Sequence, residues 1–220
     1  MLINTYVPTT IVDGFFDNPD KIREFALEQD FNSDDIGRWP GLRTSSLSTI
    51  SPVVFNDFCQ KILSLFFTAE QTYSYDVASY FQIVSGKFNT GWVHKDPSII
   101  TAMLYLSPKS SCGTSLYSKK NISFDDETYS NDKVKSYLLG SDNINSRKLN
   151  NQNFEEMVNV KGIYNRLLIF DSNIYHAAHD YFGENNEDSR LTLVSFIYGL
   201  KGDYRAPLQR SRNFFGHTTL

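Results

Sequence analysis

Two side chains that can bind a metal ion stand two residues apart, at His94 and Asp96. On an extended chain, residues i and i+2 point to the same side, so this imidazole and this carboxylate can reach one ion. The alternative is an ordinary surface turn, because the Asp-Pro pair that follows Lys95 often ends a strand. A metal site needs a further ligand, and the chain has four histidines, His94, His176, His179 and His217.

His176 is one candidate for the third ligand, because residues 167–170 predict a buried strand that ends in a turn just before it. His179 is the other candidate, and at least one of the two is then an ordinary loop residue. Two histidines and one carboxylate on one face of a metal form the facial triad of non-haem Fe(II) oxygenases, which leaves positions open for a cosubstrate and O₂. The set therefore predicts redox chemistry.

Arg190 opens the apolar run of residues 191–198, which predicts another strand. A buried arginine is costly unless it meets an anion, and its planar guanidinium suits a carboxylate. The distal carboxylate of 2-oxoglutarate is such an anion. The alternative is a weak surface pair with Asp188 or Glu187.

The order His-x-Asp, a distant His, then Arg on the following strand resembles the 2-oxoglutarate/Fe(II) dioxygenases, in particular their prolyl-hydroxylase-like branch. The resemblance covers residues 80–198 and, more loosely, the N-terminal helices. Several stretches look closer still to a group of microbial and phage proteins of that superfamily with unknown substrate. They are residues 37–44, 91–97, 104–108, 113–115 and 170–182.

The resemblance implies particular roles for the candidate residues. Iron(II) would be held by His94, Asp96 and His176. The far carboxylate of 2-oxoglutarate would be bound by Arg190 and Tyr105, with Thr192 adding a hydroxyl. Arg190 follows His176 at a longer distance than in prolyl hydroxylases, which keeps His179 open, although the step from residue 170 to His176 fits the family better.

The implied reaction is hydroxylation of an unactivated C–H bond in a peptide or small molecule, with O₂ consumed and succinate and CO₂ released. A superfamily halogenase lacks the carboxylate, so Asp96 favours hydroxylation. The rival hypotheses are a cupin-like metal enzyme that does not use 2-oxoglutarate and a catalytically silent β-sandwich that binds a partner. Arg38, Trp39 and Arg43 either border the substrate entrance or form a turn packed against the barrel.

Two amphipathic helices must support these residues, one from Asp17-Asn18-Pro19 and one from Ser51-Pro52, where polar caps precede helical spacing of apolar residues. Short runs rich in β-branched and aromatic residues then predict strands at 77–84, 99–106, 115–117, 167–170 and 191–198. We expect a mainly β fold, a double-stranded β-helix (jelly-roll) core with flanking N-terminal α-helices.

We expect a single dioxygenase domain over residues 1–220. Its parts would be helical support at 1–72, a β core at 73–200, an insertion at 121–162 and a tail at 201–220. The insertion predicts helix near 132–139 and 154–158. The basic tail residues Arg205, Arg210 and Arg212 are typical of a solvated segment.

Composition excludes several classes of partner. Of the 220 residues 40% are hydrophobic, and the formal net charge is -4, so no general basic field would attract nucleic acid or an anionic membrane. Only Cys59 and Cys112 occur, which excludes a disulfide framework. We expect a cytoplasmic protein, since the N-terminus lacks a signal peptide and no window reaches a membrane span. The oligomeric state is left open.

Overall fold

Ten strands dominate the structure, a computed structural model that describes residues 7–66, 73–109, 112–120 and 144–202. The strands are β1 (Thr9–Val12), β2 (Asn32–Ser33), β3 (Leu42–Arg43), β4 (Tyr73–Val84), β5 (Ile100–Tyr105), β6 (Thr114–Lys119), β7 (Phe154–Val160), β8 (Leu167–Asp171), β9 (Tyr175–Ala178) and β10 (Arg190–Gly202). The helices are α1 (Pro19–Leu27), α2 (Leu47–Ile50), α3 (Pro52–Leu63), α4 (Ile144–Asn151) and a 3₁₀ turn, Gly86–Phe88. The predicted mainly β class is confirmed.

The two predicted N-terminal helices begin where their caps indicate. The side chain of Asn18 accepts a hydrogen bond from the backbone N–H of Lys21 at 3.2 Å, and proline occupies the first turn of α1. The Ser51 hydroxyl caps α3 in the same way, at 3.3 Å from the N–H of Val54. Each cap satisfies a backbone donor that the first turn leaves without a helical partner.

The strands form two antiparallel sheets. The larger sheet has seven strands in the order β1-β8-β5-β10-β4-β3-β2, and the smaller has three in the order β7-β6-β9. The long strand β10 pairs with β4 along one side and with β5 along the other. It therefore has a neighbouring strand on both sides over residues 192–197.

The larger sheet is covered on both faces. One face packs against the helices through a cluster that includes Phe58, Ile62, Phe81, Ile83, Leu191 and Leu193. The other face meets the smaller sheet through Tyr105, Leu116, Val160, Leu168 and Phe170. Because side chains alternate along a strand, Arg190, Thr192 and Val194 point to the side opposite Leu191 and Leu193, between the sheets.

Part of the predicted insertion forms regular secondary structure that pairs with the rest of the fold. Residues 154–158 were expected to be helical, but they lie in β7, because pairing with β6 outweighs the local helical spacing of their apolar residues. The helix expected at 132–139 and the tail with Arg205, Arg210 and Arg212 lie outside the described residues. Among the described helices, none is long and apolar enough to cross a membrane.

Candidate metal centre

The structure brings His94, Asp96 and His176 together. One ligand atom from each lies within 4.8 Å of the others. The Nε2 atom of His94 is 3.4 Å from Oδ1 of Asp96, and Nε2 of His176 is 3.1 Å from Oδ2. Two imidazole nitrogens therefore converge on the two oxygens of one carboxylate, which is the donor set of a facial triad.

Backbone hydrogen bonds place the two histidines opposite each other. The N–H of His94 donates to the carbonyl of His176 at 3.0 Å, and the N–H of His176 donates to the carbonyl of His94 at 2.8 Å. This reciprocal pair joins the segment before β5 to β9. The histidine backbones are thus fixed without help from a metal.

Each ring is oriented through its second nitrogen. The Nδ1 atom of His94 lies 2.7 Å from the carbonyl oxygen of Trp92, and that of His176 lies 2.9 Å from the carbonyl oxygen of Ile174. Because a carbonyl oxygen only accepts hydrogen bonds, each Nδ1 carries the proton. In each ring, Nε2 is therefore the nitrogen that faces Asp96 and that a metal ion could use.

The Asp96 carboxylate is fixed by the neighbouring strand. Its Oδ2 accepts a hydrogen bond of 2.7 Å from the hydroxyl of Thr101 on β5, and Thr101 also lies 2.9 Å from the Ser172 hydroxyl. Burial acts to raise the pKa of Asp96, but charge and hydrogen bonds from His176 and His94 outweigh it and hold that pKa well below its ordinary value. The carboxylate is therefore ionised.

Side chains of helix α4 form hydrogen bonds with the backbone immediately before His94. The side-chain oxygen of Asn151 accepts a hydrogen bond from the N–H of Val93 at 3.0 Å, and its amide nitrogen donates to the carbonyl of Gly91 at 3.0 Å. Asn150 donates to the carbonyl of Val93 at 3.2 Å. The segment that carries His94 is consequently anchored from the region predicted as an insertion.

His179 lies apart from this cluster. Its Nδ1 is 3.0 Å from the carboxylate of Asp180, and its Nε2 is 3.1 Å from the side-chain amide of Asn159. The fourth histidine, His217, lies outside the described residues. Of the two candidates for the third position, the structure places His176 with His94 and Asp96.

Arg190 begins β10 and is buried, with 3% of its surface exposed. One terminal nitrogen lies 3.0 Å from the sulfur of Met103, and the guanidinium carbon is 5.5 Å from the ring centre of Tyr105. Within the described residues it pairs with no carboxylate, neither Asp188 nor Glu187. A buried charge without a protein counter-ion is costly, so the site suits an anionic ligand.

Tyr105 and Thr192 are register partners on β5 and β10. The Tyr105 hydroxyl donates to the hydroxyl of Thr114 at 2.8 Å, and burial raises the pKa of Tyr105. The Thr192 hydroxyl is fully buried and meets no hydrogen-bond partner in the described part of the chain. Thr192 shares the strand face of Arg190, so a ligand carboxylate at Arg190 would offer the missing acceptor.

A cavity of about 570 Å³ joins these groups. Its wall includes the triad, Arg190, Met103 and Thr101, and on the far side the residues Arg38, Trp39, Arg43, Tyr80, Gln82, Phe196 and Tyr198. Of the three predicted cosubstrate-binding residues, only Arg190 is part of the wall. A volume of this size is typical of a small-molecule site.

Sequence reasoning missed some residues around the metal site. Asn150 and Asn151 sit in a polar stretch without a recognisable pattern, so no signal pointed to them. Thr101 offered a weak signal, since it follows Asp96 by five residues in a predicted strand. Only the fold shows that its hydroxyl meets the carboxylate.

Comparisons with known proteins give one matching family and a set of solved structures with a similar fold. A model of a family of unknown function (DUF6445) matches residues 2–197. No curated protein matches the sequence. Four similar solved structures are of HygX from Streptomyces hygroscopicus, at 13 to 15% identity.

The HygX complex with nickel, 2-oxoglutarate and hygromycin B has a TM-score of 0.56 at 15% identity, over 88% of this chain and 83% of HygX. The complex with nickel and 2-oxoglutarate gives 0.54 at 14% identity, with the same coverage. The iron-bound form gives 0.52 at 14% identity, over 88% and 82%. The first two of these structures have metal and 2-oxoglutarate bound, and all three share the fold of this chain, so the predicted jelly-roll fold is confirmed.

Proposed function

Since the chain belongs to the family of unknown function DUF6445, its activity must be inferred from its site, and we propose that it is an Fe(II)- and 2-oxoglutarate-dependent oxygenase. One observation carries the proposal: the cavity contains both a His-Asp-His cluster and a buried arginine that pairs with no carboxylate of the described residues. Either feature alone has ordinary structural explanations. Their presence in one cavity matches the two ends of a single keto-acid ligand.

His94, Asp96 and His176 would hold the metal. Two neutral imidazoles and one ionised carboxylate suit iron(II), and their convergence from one side leaves the cavity side open. When bound, iron with 2-oxoglutarate and O₂ supplies oxidation of a C–H bond, with release of succinate and CO₂. The triad is held by the His94–His176 backbone pair and by Thr101, so its geometry is present before any ligand arrives.

Arg190 would bind the far carboxylate of 2-oxoglutarate. A charge-assisted hydrogen bond from a guanidinium is stronger than a neutral one, and burial excludes competing water. The Thr192 hydroxyl would donate a hydrogen bond to the same carboxylate. The Tyr105 hydroxyl would donate another after rotating away from Thr114. These contacts fix the direction in which the keto-acid end points toward the metal.

The substrate would occupy the remaining part of the cavity, against Trp39, Tyr80 and Phe196. These rings exclude water from the bond that reacts. Asp96 fills the third protein position of the triad, so the expected outcome is hydroxylation of an unactivated C–H bond in a small molecule or peptide. The fold shared with HygX, which is seen with nickel, 2-oxoglutarate and hygromycin B bound, supports this class.

The test is an anaerobic titration of the Fe(II)-loaded protein with 2-oxoglutarate, observed through the visible metal-to-ligand charge-transfer band. The wild type should develop the band with saturation. His176→Ala should abolish the band by removing a metal ligand. Arg190→Ala should keep metal binding but weaken the binding of 2-oxoglutarate at least about tenfold, because one charge-assisted hydrogen bond is lost.

His179→Ala is the matched control, because this neighbouring histidine faces Asp180 and Asn159 and should leave the band unchanged. A wild-type protein that binds iron but shows no band would contradict the proposal and favour a cupin-like metal enzyme. A protein that binds no metal would favour a binding module.

A further inference from the structure

A second cavity lies at the edge of the larger sheet, behind the strands that border the metal centre. Its volume is about 480 Å³, which suits a small molecule. Its wall includes Leu42 of β3 and Ile83 of β4, which are register partners. The next pair along these strands, Arg43 and Gln82, lies in the wall of the 570 Å³ cavity at the metal centre. Because side chains alternate along a strand, the two cavities lie on opposite faces of this sheet edge.

Ser189 provides the main evidence that the second cavity holds a ligand. It lies in the cavity wall with 1% of its surface exposed, and its hydroxyl has no hydrogen-bond partner in the described part of the chain. Its backbone is fully bonded: the N–H donates to the carbonyl of Asn185 at 3.1 Å, and the carbonyl accepts from the Ser107 hydroxyl at 3.0 Å. The side chain is thus fixed in place with an unpaired hydroxyl, a cost that a ligand would remove.

Trp39 contributes a second unpaired donor. Its indole nitrogen is buried and meets no hydrogen-bond acceptor among the described residues. Trp39 lies in the walls of both cavities, and the guanidinium carbons of Arg38 and Arg43 stand 4.7 and 4.5 Å from its ring centre. The ring is therefore held in position by its neighbours, and an oxygen atom of a molecule in the second cavity could accept its N–H.

Hydroxyl and amide groups form much of the remaining wall, which includes Ser33, Ser85, Asn185 and Asn186. The Ser85 hydroxyl makes no capping hydrogen bond to the 3₁₀ turn that follows it. Phe88, at the end of that turn, supplies an apolar surface. A wall of this kind suits a molecule with several hydroxyl groups around an apolar ring face, because each hydroxyl both donates and accepts hydrogen bonds.

The charges of the wall disfavour an anionic ligand. Its acidic side chains are those of Asp34, Asp35 and Glu184, and its cation is Lys87. Asp34 pairs with Arg38 at 2.9 Å, which leaves two carboxylates against one ammonium group. Within the described residues, the one group of three side chains that could hold a metal ion is the centre described above. The second cavity is therefore a site for an organic molecule, and a phosphate or carboxylate group would meet repulsion there.

We propose that the second cavity binds a sugar, or a sugar unit of a larger molecule, that carries no negative charge. The Ser189 hydroxyl and the Trp39 N–H would donate hydrogen bonds to its oxygens, and Phe88 would pack against its ring. Glu184 would accept a hydrogen bond from a sugar hydroxyl or ammonium group. The proposal does not depend on the oxygenase function, because none of these groups would bind the metal or 2-oxoglutarate.

The experiment uses the full chain under anaerobic conditions, first alone and then with saturating Fe(II) and 2-oxoglutarate. Glucose, glucosamine and glucose 6-phosphate share one ring and differ in charge, and each is titrated calorimetrically. In both states of the protein we expect glucose and glucosamine to bind about tenfold more tightly than glucose 6-phosphate. Ser189→Ala should weaken glucose binding about tenfold, because one hydrogen bond is lost. Glu184→Gln should reduce the discrimination against glucose 6-phosphate.

Glu187→Gln is the matched control for Glu184→Gln, since Glu187 is an exposed carboxylate outside the cavity wall. It should keep the discrimination against glucose 6-phosphate. Phe196→Leu changes the wall of the metal cavity alone and should leave glucose binding unchanged. Thermal unfolding checks that each variant is folded, and the half-buried Ser85→Ala should also weaken glucose binding if Ser189→Ala does not fold.

Three outcomes overturn the proposal. They are the binding of none of the three probes, a preference for glucose 6-phosphate, and glucose binding that Phe196→Leu weakens while the serine variants do not. The last would place the sugar in the metal cavity. The charge-transfer band with 2-oxoglutarate reports separately on the oxygenase function.

Discussion

At the scale of single residues, two buried threonines differ in whether their hydroxyl groups have partners. Thr101 donates to Asp96 and lies beside Ser172, so its hydrogen bonds are complete within the protein. Thr192 is equally buried, but its hydroxyl meets no partner among the described residues. The first hydroxyl is satisfied within the protein, whereas the second would find its acceptor in the 2-oxoglutarate carboxylate that we propose at Arg190.

Replacing Thr101 with valine should weaken metal binding by about 10- to 100-fold, the usual effect of removing a group that orients a metal ligand. Valine keeps the shape of threonine, so the loss should come from the missing hydrogen bond to Asp96. Calorimetric titration with Fe(II) under anaerobic conditions measures it. Thr101→Ser should restore most of the affinity, and an unchanged affinity in Thr101→Val would refute the role.

Replacing Thr192 with valine should have two opposite effects. The ligand-free protein should become more stable, because an unpaired buried hydroxyl costs about 1–3 kcal/mol, which corresponds to a rise in Tm of about 2–4 °C per kcal/mol for a chain of this size. The affinity for 2-oxoglutarate should fall about tenfold, because one hydrogen bond is lost. Thermal unfolding and the charge-transfer titration measure the two effects.

Ser195→Ala is the control for that pair of measurements. Ser195 lies on the opposite face of β10, where its hydroxyl donates to Ser79 at 2.7 Å. Its removal should lower the stability and leave 2-oxoglutarate binding unchanged. If Thr192→Val behaved like Ser195→Ala, Thr192 would have no part in cosubstrate binding.

At the scale of elements, the sequence predicted those segments whose pattern is local. The capped helices α1 and α3 and the apolar strands β5, β8 and β10 are encoded by their own residues. β7 was predicted as helix because Phe154 and Val158 stand four residues apart, yet the strand exists through its pairing with β6. β3 is two residues long, so only its register with β4 reveals it. The sequence named His94, Asp96 and His176 as candidates, but it predicted neither β9 nor the contacts from α4 that support them.

Helix α4 provides an element-scale prediction. Asn151→Ala should weaken Fe(II) binding about tenfold, because both hydrogen bonds that anchor residues 91 and 93 are lost and His94 is less well positioned. Anaerobic metal titration measures the effect. Asn153→Ala is a close control, since that side chain bonds to the carbonyls of Leu149 and Asn150 within its own helix end. Equal affinities in both variants would count against the anchoring role.

The turn that leads into β3 provides a second prediction at the scale of elements. Gly41 has a φ of +72°, and a Cβ there would lie 2.1 Å from the carbonyl oxygen of Ile83. Gly41→Ala should therefore displace β3 and, in thermal unfolding, lower the Tm by more than Gly14→Ala does, while the charge-transfer band with 2-oxoglutarate remains. Gly14→Ala is the control: its φ is +64°, but nothing lies within 4 Å, so it should cost only the backbone strain of about 1–2 kcal/mol. Equal Tm values for Gly41→Ala and Gly14→Ala would contradict this account of β3.

At the scale of the whole molecule, the candidate metal centre joins parts of the chain that are distant in sequence. His94 and Asp96 precede β5, His176 lies in β9, and the asparagines of α4 come from the region between β6 and β7. A ligand that binds these groups together binds only the folded chain. Metal binding and stability are therefore linked.

Adding Fe(II) anaerobically to the metal-free protein should raise its Tm. At a metal concentration one hundred times the Kd the gain is about 2.7 kcal/mol, or roughly 5–10 °C for this chain length. Differential scanning calorimetry measures the shift, and a chelator should reverse it. His176→Ala should show little of the shift, and a wild type whose Tm does not respond to metal would argue against a specific site.

The reciprocal backbone bond between His94 and His176 also sets an order of events during protein synthesis. A nascent chain that has left the ribosome only as far as β6 carries His94 and Asp96 but neither the third ligand nor the strand opposite it. If the proposed centre binds iron, such an intermediate would hold it only weakly, and the metal would be excluded until the complete cavity has formed around it. Ribosome complexes stalled with residue 176 still inside the exit tunnel should accordingly retain no iron, while those from which residue 202 has emerged should.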